Sequence, residues 1–229
     1  MTRSRLDVER AQQPARKRRT NYRKDGYHHG NLDAALLEIA TRLIDEEGVG
    51  AVTLRRVAEK AGVTATAAQH HYGDKEGLLR AIASVSFKDL LSILTTASKY
   101  SEDPESNLRS VVGAYARFAV ANPERFRFMF EAGYLDPILS PVSANLGLGC
   151  FDVLRLTVDR YLGRHAVAAP LFVWSMGHGV GSILSISRIP STDRPGRTND
   201  EIIDEMVNVT IDGLRQFQTG SGDMPLPDD

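Results

Sequence analysis

From Asn31 onward apolar side chains recur every three to four positions, at Leu32, Ala35, Leu36, Ile39 and Leu43, and the run stops at Gly48. That spacing lays one apolar stripe along a helix. A second, short helix is predicted after Thr53, whose hydroxyl can cap the first turn, with Leu54, Val57 and Ala58 turned inward before Gly62. The cap lacks its reciprocal half, because Arg56 stands where a capping box places Glu or Gln. Gly62 permits the left-handed conformation of a tight turn, and Thr64 can cap a third helix running to about Tyr72.

Asp74 is the next cap candidate, and Leu78, Leu79, Ile82, Val85, Leu90, Leu91 and Leu94 carry the pattern through one long helix. Asp103-Pro104 opens another through Val111, Tyr115 and Phe118 that ends at Asn122-Pro123; a short helix through Phe126 and Phe130 follows. Three more are predicted over about 141–162, 166–188 and 199–218, the last two flanking a loop rich in Pro, Arg and Thr. No stretch reads as a strand, so the fold class is all-α. Residues 1–27 have no apolar periodicity and read as a flexible arm, and 220–229 as a disordered tail. Between them, a head over 28–74 is joined by the long helix to a body over 75–219.

Composition narrows this picture only a little. With 229 residues, 42% hydrophobic and 25% charged, the chain is of ordinary soluble globular kind. Its one cysteine, Cys150, cannot form an internal disulfide, and Met1 to Lys24 offers no apolar run for a signal peptide, so a reducing cytoplasm is expected. Charge is more informative. The net charge of −1 hides nine Lys/Arg against three acids in residues 1–30. Over 1–80 the balance is 15 against 11, so the remainder carries −5: a basic head sits on a mildly acidic body.

Three short helices with Gly62 in the turn between the second and third are the parts of a helix-turn-helix, whose last helix enters the major groove. The third helix has a composition suited to that task. Thr64, Ala65, Thr66, Ala67, Gln69, His70 and His71 are small or hydrogen-bonding, which fits approach to bases and phosphates better than burial. The same shape also occurs as a plain packing unit.

At these residues the chain resembles a known family. Gly62-Val63-Thr64, His70-His71-Tyr72 and Asp74-Lys75-Glu76-Gly77-Leu78-Leu79 resemble the N-terminal segment of TetR-type transcriptional regulators. The lead-in Gly26-Tyr27-His28-His29-Gly30-Asn31-Leu32 is similar to a subset of them. In the body, Pro123 to Phe130 and Trp174-Ser175-Met176-Gly177-His178-Gly179 resemble the marks of a WHG-type C-terminal domain. The resemblance implies that Thr53 and Lys75 contact phosphates, that Thr64 to Ala67 face the groove, and that Gln69, His70 and His71 lie on the backbone or base side. Ala68 and Tyr72 would pack inside the head. Gln69 departs from a usual Tyr and Ala68 from a usual Leu or Pro; a glutamine can instead pair with adenine. In the arm, Arg18 and Arg19 of the cluster Arg16-Lys17-Arg18-Arg19 either reach a flanking minor groove, lie on phosphates, or belong to a solvated tail.

The stretch Ala166 to Ser187 has no charged residue, but Pro170, His178, four serines and three glycines make it a poor membrane span. Gly177 and Gly181 at GxxxG spacing allow two helices to approach closely. With the family's paired last helices in view, Trp174, Gly177, Gly181, Leu184, Ile211 and Leu214 are expected at a homodimer interface. A twofold dimer sets its recognition helices roughly 34–36 Å apart, or a multiple, and calls for a palindromic operator. Phe87, Leu91, Tyr115, Phe118, Phe126, Met129 and Trp174, with His178 as a polar handle, are expected to line an effector pocket or else to fill the core.

Nothing in the sequence assembles an enzyme. The six histidines lack zinc spacing, there is no GxSxG, and Gly147 and Gly149 form a GxG without a third glycine or a preceding strand. No cofactor or metal is expected. The sequence reads as a dimeric repressor that leaves double-stranded operator DNA when a small apolar effector binds; the alternative is an architectural DNA binder without an effector.

Overall fold

The computed structural model of the chain describes residues 32–130, 133–185 and 196–219. The arm with Arg18 and Arg19, the lead-in Gly26 to Asn31, residues 186–195 and the tail 220–229 lie outside the described residues. Contacts divide the chain into two units, Met1–Leu32 and Asp33–Asp229. The second unit holds nearly all of the described residues.

Among the described residues there are nine α-helices and no strand, as the all-α expectation requires. They are α1 (Leu32–Glu47), α2 (Leu54–Ala61), α3 (Ala65–Tyr72), α4 (Lys75–Ala97), α5 (Pro104–Ala121), α6 (Pro123–Met129), α7 (Pro141–Leu162), α8 (Ala168–Ser185) and α9 (Asn199–Thr219). A 3₁₀ turn over Val49–Ala51, not foreseen, links α1 to α2. Local chemistry fixes the ends. The side chains of Thr53, Thr64, Asp74 and Asp103 accept hydrogen bonds from the backbone N–H groups of Arg56, Ala67, Gly77 and Ser106, satisfying donors that a helix start leaves orphaned. Gly62 ends α2 at φ 71°, in the left-handed region where a side chain would be strained. Arg56, the misfit of the incomplete capping box, reaches back 2.6 Å to the Glu47 carboxylate and ties α2 to the end of α1.

In the larger part of the second unit α5 is the central element, with α4, α7, α8 and α9 packed around it. Phe87, Leu90 and Leu94 of α4 meet Leu108, Val111 and Ala119 of α5 in the core. Helices α5 and α8 approach closely. A Cβ placed on Gly181 would stand 2.6 Å from the Ala119 Cβ and 3.6 Å from the Ala116 carbonyl oxygen, whereas one on Gly177 would make ordinary contact, 3.6 Å from Tyr115.

That contact corrects the expected dimer interface. Gly177 and Gly181 face α5 of their own chain, and Leu184, Ile211 and Leu214 are buried in the chain's own core, so none of the five is free to meet a second subunit. Periodicity marked these positions as buried but not what buries them. Trp174 is half-buried and turned to the same interior. The apolar side chains that α8 and α9 leave exposed are Leu171, Ile183 and Val209. Among the described residues no helix is long and apolar enough to cross a membrane.

The two glycines of the GxxxG pair should respond differently to a methyl group. Gly181→Ala is expected to lower stability by about 1–3 kcal/mol through overpacking. Gly177→Ala should leave it unchanged or raise it by up to about 1 kcal/mol through better helix propensity. Urea unfolding of the two variants beside the parent checks this.

Candidate functional site

Helix α3 is eight residues long and buries only Ala68. Thr64, Ala65, Thr66, Gln69, His70 and His71 are exposed and Ala67 is half-buried. Lys75 is exposed at the start of α4, and so is Thr53, whose hydroxyl oxygen is already engaged as a helix cap. All the described residues expected to contact DNA therefore lie at or near the surface around one short helix. Tyr72 differs from expectation. It is half-buried, and its hydroxyl donates to the Asp33 carboxylate at 2.5 Å, pinning the end of α3 to the start of α1. Burial first, and then the carboxylate, push the Tyr72 phenol above its ordinary pKa, so it stays a donor.

Arg125 of α6 joins this part of the unit to the rest. Its guanidinium lies 3.2 Å from the Asp45 carboxylate of α1 and 3.4 Å from that of Asp89 on α4, and it sits 5.6 Å over the Phe118 ring. Desolvation holds the Asp45 carboxyl above its ordinary pKa, and the Arg125 guanidinium offsets part of that rise.

A cavity of about 420 Å³ opens between α4, α5, α7 and α8 beside the loop that leads into α7. Phe87, Tyr115 and Trp174 line it. Leu91, Phe118, Phe126, Met129 and His178 do not, and this is a correction. Leu91 is turned toward Gly149 of α7. Phe118 lies under Arg125 and, with Phe126 and Met129, forms core behind the wall. His178, one turn beyond Trp174, stands among Phe126 and Phe130 at ring separations of 5.0 and 4.8 Å. It touches the cavity only through its neighbours. The Trp174 indole N–H donates to the Tyr115 hydroxyl at 3.0 Å, and that hydroxyl lies 3.0 Å from His178 Nδ1.

Sequence reasoning missed the α7 side of this wall, where Gly147, Cys150, Phe151 and Leu154 stand, and the loop residues Leu135 and Pro137. One signal was present. The glycines discounted as half of a nucleotide motif keep α7 thin, since a Cβ on Gly147 would meet Leu135 at 2.5 Å. Among the described residues, the cavity lining contains no Asp, Glu, Lys, Arg or His. Burial pushes the Cys150 thiol up to about 12, leaving it neutral. Among the described residues, no group of three or more His, Cys, Asp and Glu side chains is arranged to hold a metal.

Two family sequence models match this arrangement: bacterial regulatory proteins of the tetR family over residues 36–82, and a tetracyclin repressor-like C-terminal domain over 108–210. The chain belongs to the TetR family. It is 39% identical over 82 residues to the HTH-type transcriptional regulator BetI of Burkholderia cenocepacia, a match that takes in 35% of this chain and 42% of that relative. The chain thus spans less than half the length of the named relatives it matches. Solved structures share the fold. A protein of unknown function from Rhodococcus sp. RHA1 superposes with a TM-score of 0.71 at 23% identity, over 83% of this chain and 98% of that one. PfmR of Thermus thermophilus gives 0.56 at 24% identity, over 78% and 98%. The fatty acid degradation regulator FadR of Bacillus halodurans gives 0.61 at 14%, over 84% and 99%.

Burial lowers the pKa of His178 in this TetR-family body. A histidine depressed in the folded state takes up its proton first in the unfolded chain, so the stability it confers is present above about pH 6.5 and lost as pH falls below that value. The thermal midpoint is expected to drop between pH 7.5 and 5.5, and to drop less in His178→Asn; melting curves of both proteins across that range measure the difference.

Proposed function

We propose that the chain is a DNA-binding transcriptional regulator acting as a repressor, with a head over 28–74 that holds an operator and a body over 75–219 that senses a small uncharged apolar molecule. The observation that carries the DNA part is the composition of α3. A helix that fully buries only Ala68 and presents Thr66, Gln69, His70 and His71 outward serves recognition better than stability. The family match supports the same reading. On it, Lys75 and Thr53 lie against phosphates, and Thr64 to Ala67 with Gln69 address the groove. A regulator of this kind is not an enzyme and works where the chromosome is, in the bacterial cytoplasm.

Ligand release of DNA needs a physical connection, and two elements offer one. Helix α4 starts at Lys75, directly after α3, and places Phe87 in the cavity wall, so a ligand that displaces Phe87 bears on the helix beneath the head. Helix α6 connects the same two places, through Phe130 at its end on the cavity and through Arg125 on Asp45 of α1. A coupling free energy of about 1–3 kcal/mol through such contacts changes operator affinity some five- to 150-fold. The regulator works as a homodimer on a palindromic site. Its subunits meet through the outward faces of α8 and α9, where Leu171, Ser175, Gly179 and Ile183 recur every fourth residue, and where Val209 is exposed.

Selection of bound sequences from a random duplex pool, with full-length protein at near-physiological salt, tests this. The expected result is an enriched inverted repeat. Salt-labile binding to all sequences without enrichment would put the architectural alternative in its place. On the selected site, Lys75→Ala should weaken all sequences alike and lower the salt slope by about 1, whereas Gln69→Ala should relax preference at one base position by about 1–3 kcal/mol. Fluorescence anisotropy across a panel of single-base operator variants reads both.

A further inference from the structure

Among the described residues that line the cavity, three carry polar side-chain atoms: the Tyr115 hydroxyl, the Trp174 indole nitrogen and the Cys150 sulfur. Two of the three are engaged. The Cys150 sulfur faces the Phe87 carbonyl at 3.7 Å, and Trp174, which can only donate, gives its proton to Tyr115. The Tyr115 oxygen is therefore an acceptor in that bond, and its own proton has His178 Nδ1 at 3.0 Å to receive it. If Nδ1 carried a hydrogen instead, Tyr115 would accept twice and hold a hydroxyl proton with no partner in an apolar wall, which is the costly arrangement. His178 thus serves as acceptor, and one lone pair of the Tyr115 oxygen is left over.

We propose that this oxygen is the specificity-determining contact of the cavity, and that the cavity takes a neutral hydrophobic alcohol or phenol, whose hydroxyl donates to Tyr115. The inference rests on the proposed ligand-binding role of the cavity and names the ligand class. Three features act together. Among the described residues the lining has no cation to balance a carboxylate or phosphate and no anion to balance an amine, so a charged ligand group held against them would be desolvated without compensation. The Tyr115 oxygen, already donating to His178 and accepting from Trp174, can accept but not donate, so a ligand that offers only acceptors, such as an ester or ketone, finds no partner. Finally, Trp174 and His178 hold the phenol from two sides, which fixes the direction of the remaining lone pair before a ligand arrives. His178 does not touch the ligand; it is a positioning residue that keeps the Tyr115 proton occupied.

The chain has a single tryptophan, and it stands in the cavity wall, so emission excited at 295 nm reports on the cavity alone. Three probes of like size isolate the polar group: 1-decanol, methyl nonanoate and decanoate. Titrating each into the full-length protein, 1-decanol is expected to bind about three- to tenfold more tightly than methyl nonanoate, the range of one net hydrogen bond. Decanoate should bind at least about tenfold more weakly than the alcohol. In Tyr115→Phe the alcohol should lose its advantage while the ester keeps its affinity within about twofold. The ranking of the three probes in the parent protein stands as a test without the variant, read also as shifts of the melting temperature. Equal binding of alcohol and ester, or tightest binding of decanoate, overturns the assignment of ligand class and leaves the ligand-binding role standing. An alcohol preference that survives in Tyr115→Phe overturns the role of Tyr115. Failure of all three probes to alter emission or melting overturns both.

Discussion

Helix α8 can lie against α5 only because position 181 carries no side chain where Ala119 and Ala116 come up to meet it. That single steric allowance sets much else. It fixes the height of Trp174 and His178 over Tyr115, so that three side chains from two helices form one hydrogen-bonded chain. It also draws α5 and α8 together at one side while α7 closes the other, and the space left between them is the cavity. Interiors pack at crystal-like density, so a void of this size beside such a tight contact is held open by the stiffness of its walls. The aromatic rings of Phe87, Phe130 and Trp174 provide that stiffness.

Much of the fold was legible in the sequence because helix ends are decided locally. Thr53, Thr64, Asp74 and Asp103 cap the helices that their own sequence neighbourhood announces, and Pro141 and Asn199 open helices where the pattern placed them. The site was legible only in part, for two physical reasons. Periodicity separates a buried face from a wet one but does not say which neighbour does the burying, so Gly181, Leu184, Ile211 and Leu214 were read as an interface between chains when they serve within one. Nor does it separate the wall of a cavity from the core behind it. Leu90 and Leu91 are adjacent, and a helical rotation of about 100° per residue puts one on the cavity and the other against α7.

Arg125 illustrates a contact no one-dimensional pattern announces. It stands in a seven-residue helix, yet it gathers carboxylates 80 and 36 positions away, Asp45 and Asp89, and covers Phe118 besides. Its side chain is only 13% exposed, so the pairing is screened far less than the many surface ion pairs of α9. Removing the guanidinium would take away the charge that pairs with both Asp45 and Asp89, which is why such a clamp holds its elements in one relative position.

The anchoring of α3 has a consequence for how a lineage of such proteins can diverge. One buried methyl at Ala68 and one phenol bond from Tyr72 to Asp33 hold the helix, and five of its eight positions are exposed. On the proposed reading, those five are the letters that spell out an operator, and substitutions there leave the core untouched. After gene duplication, a copy could therefore drift to a new DNA address through viable intermediates, keeping the body and its chemistry as inherited.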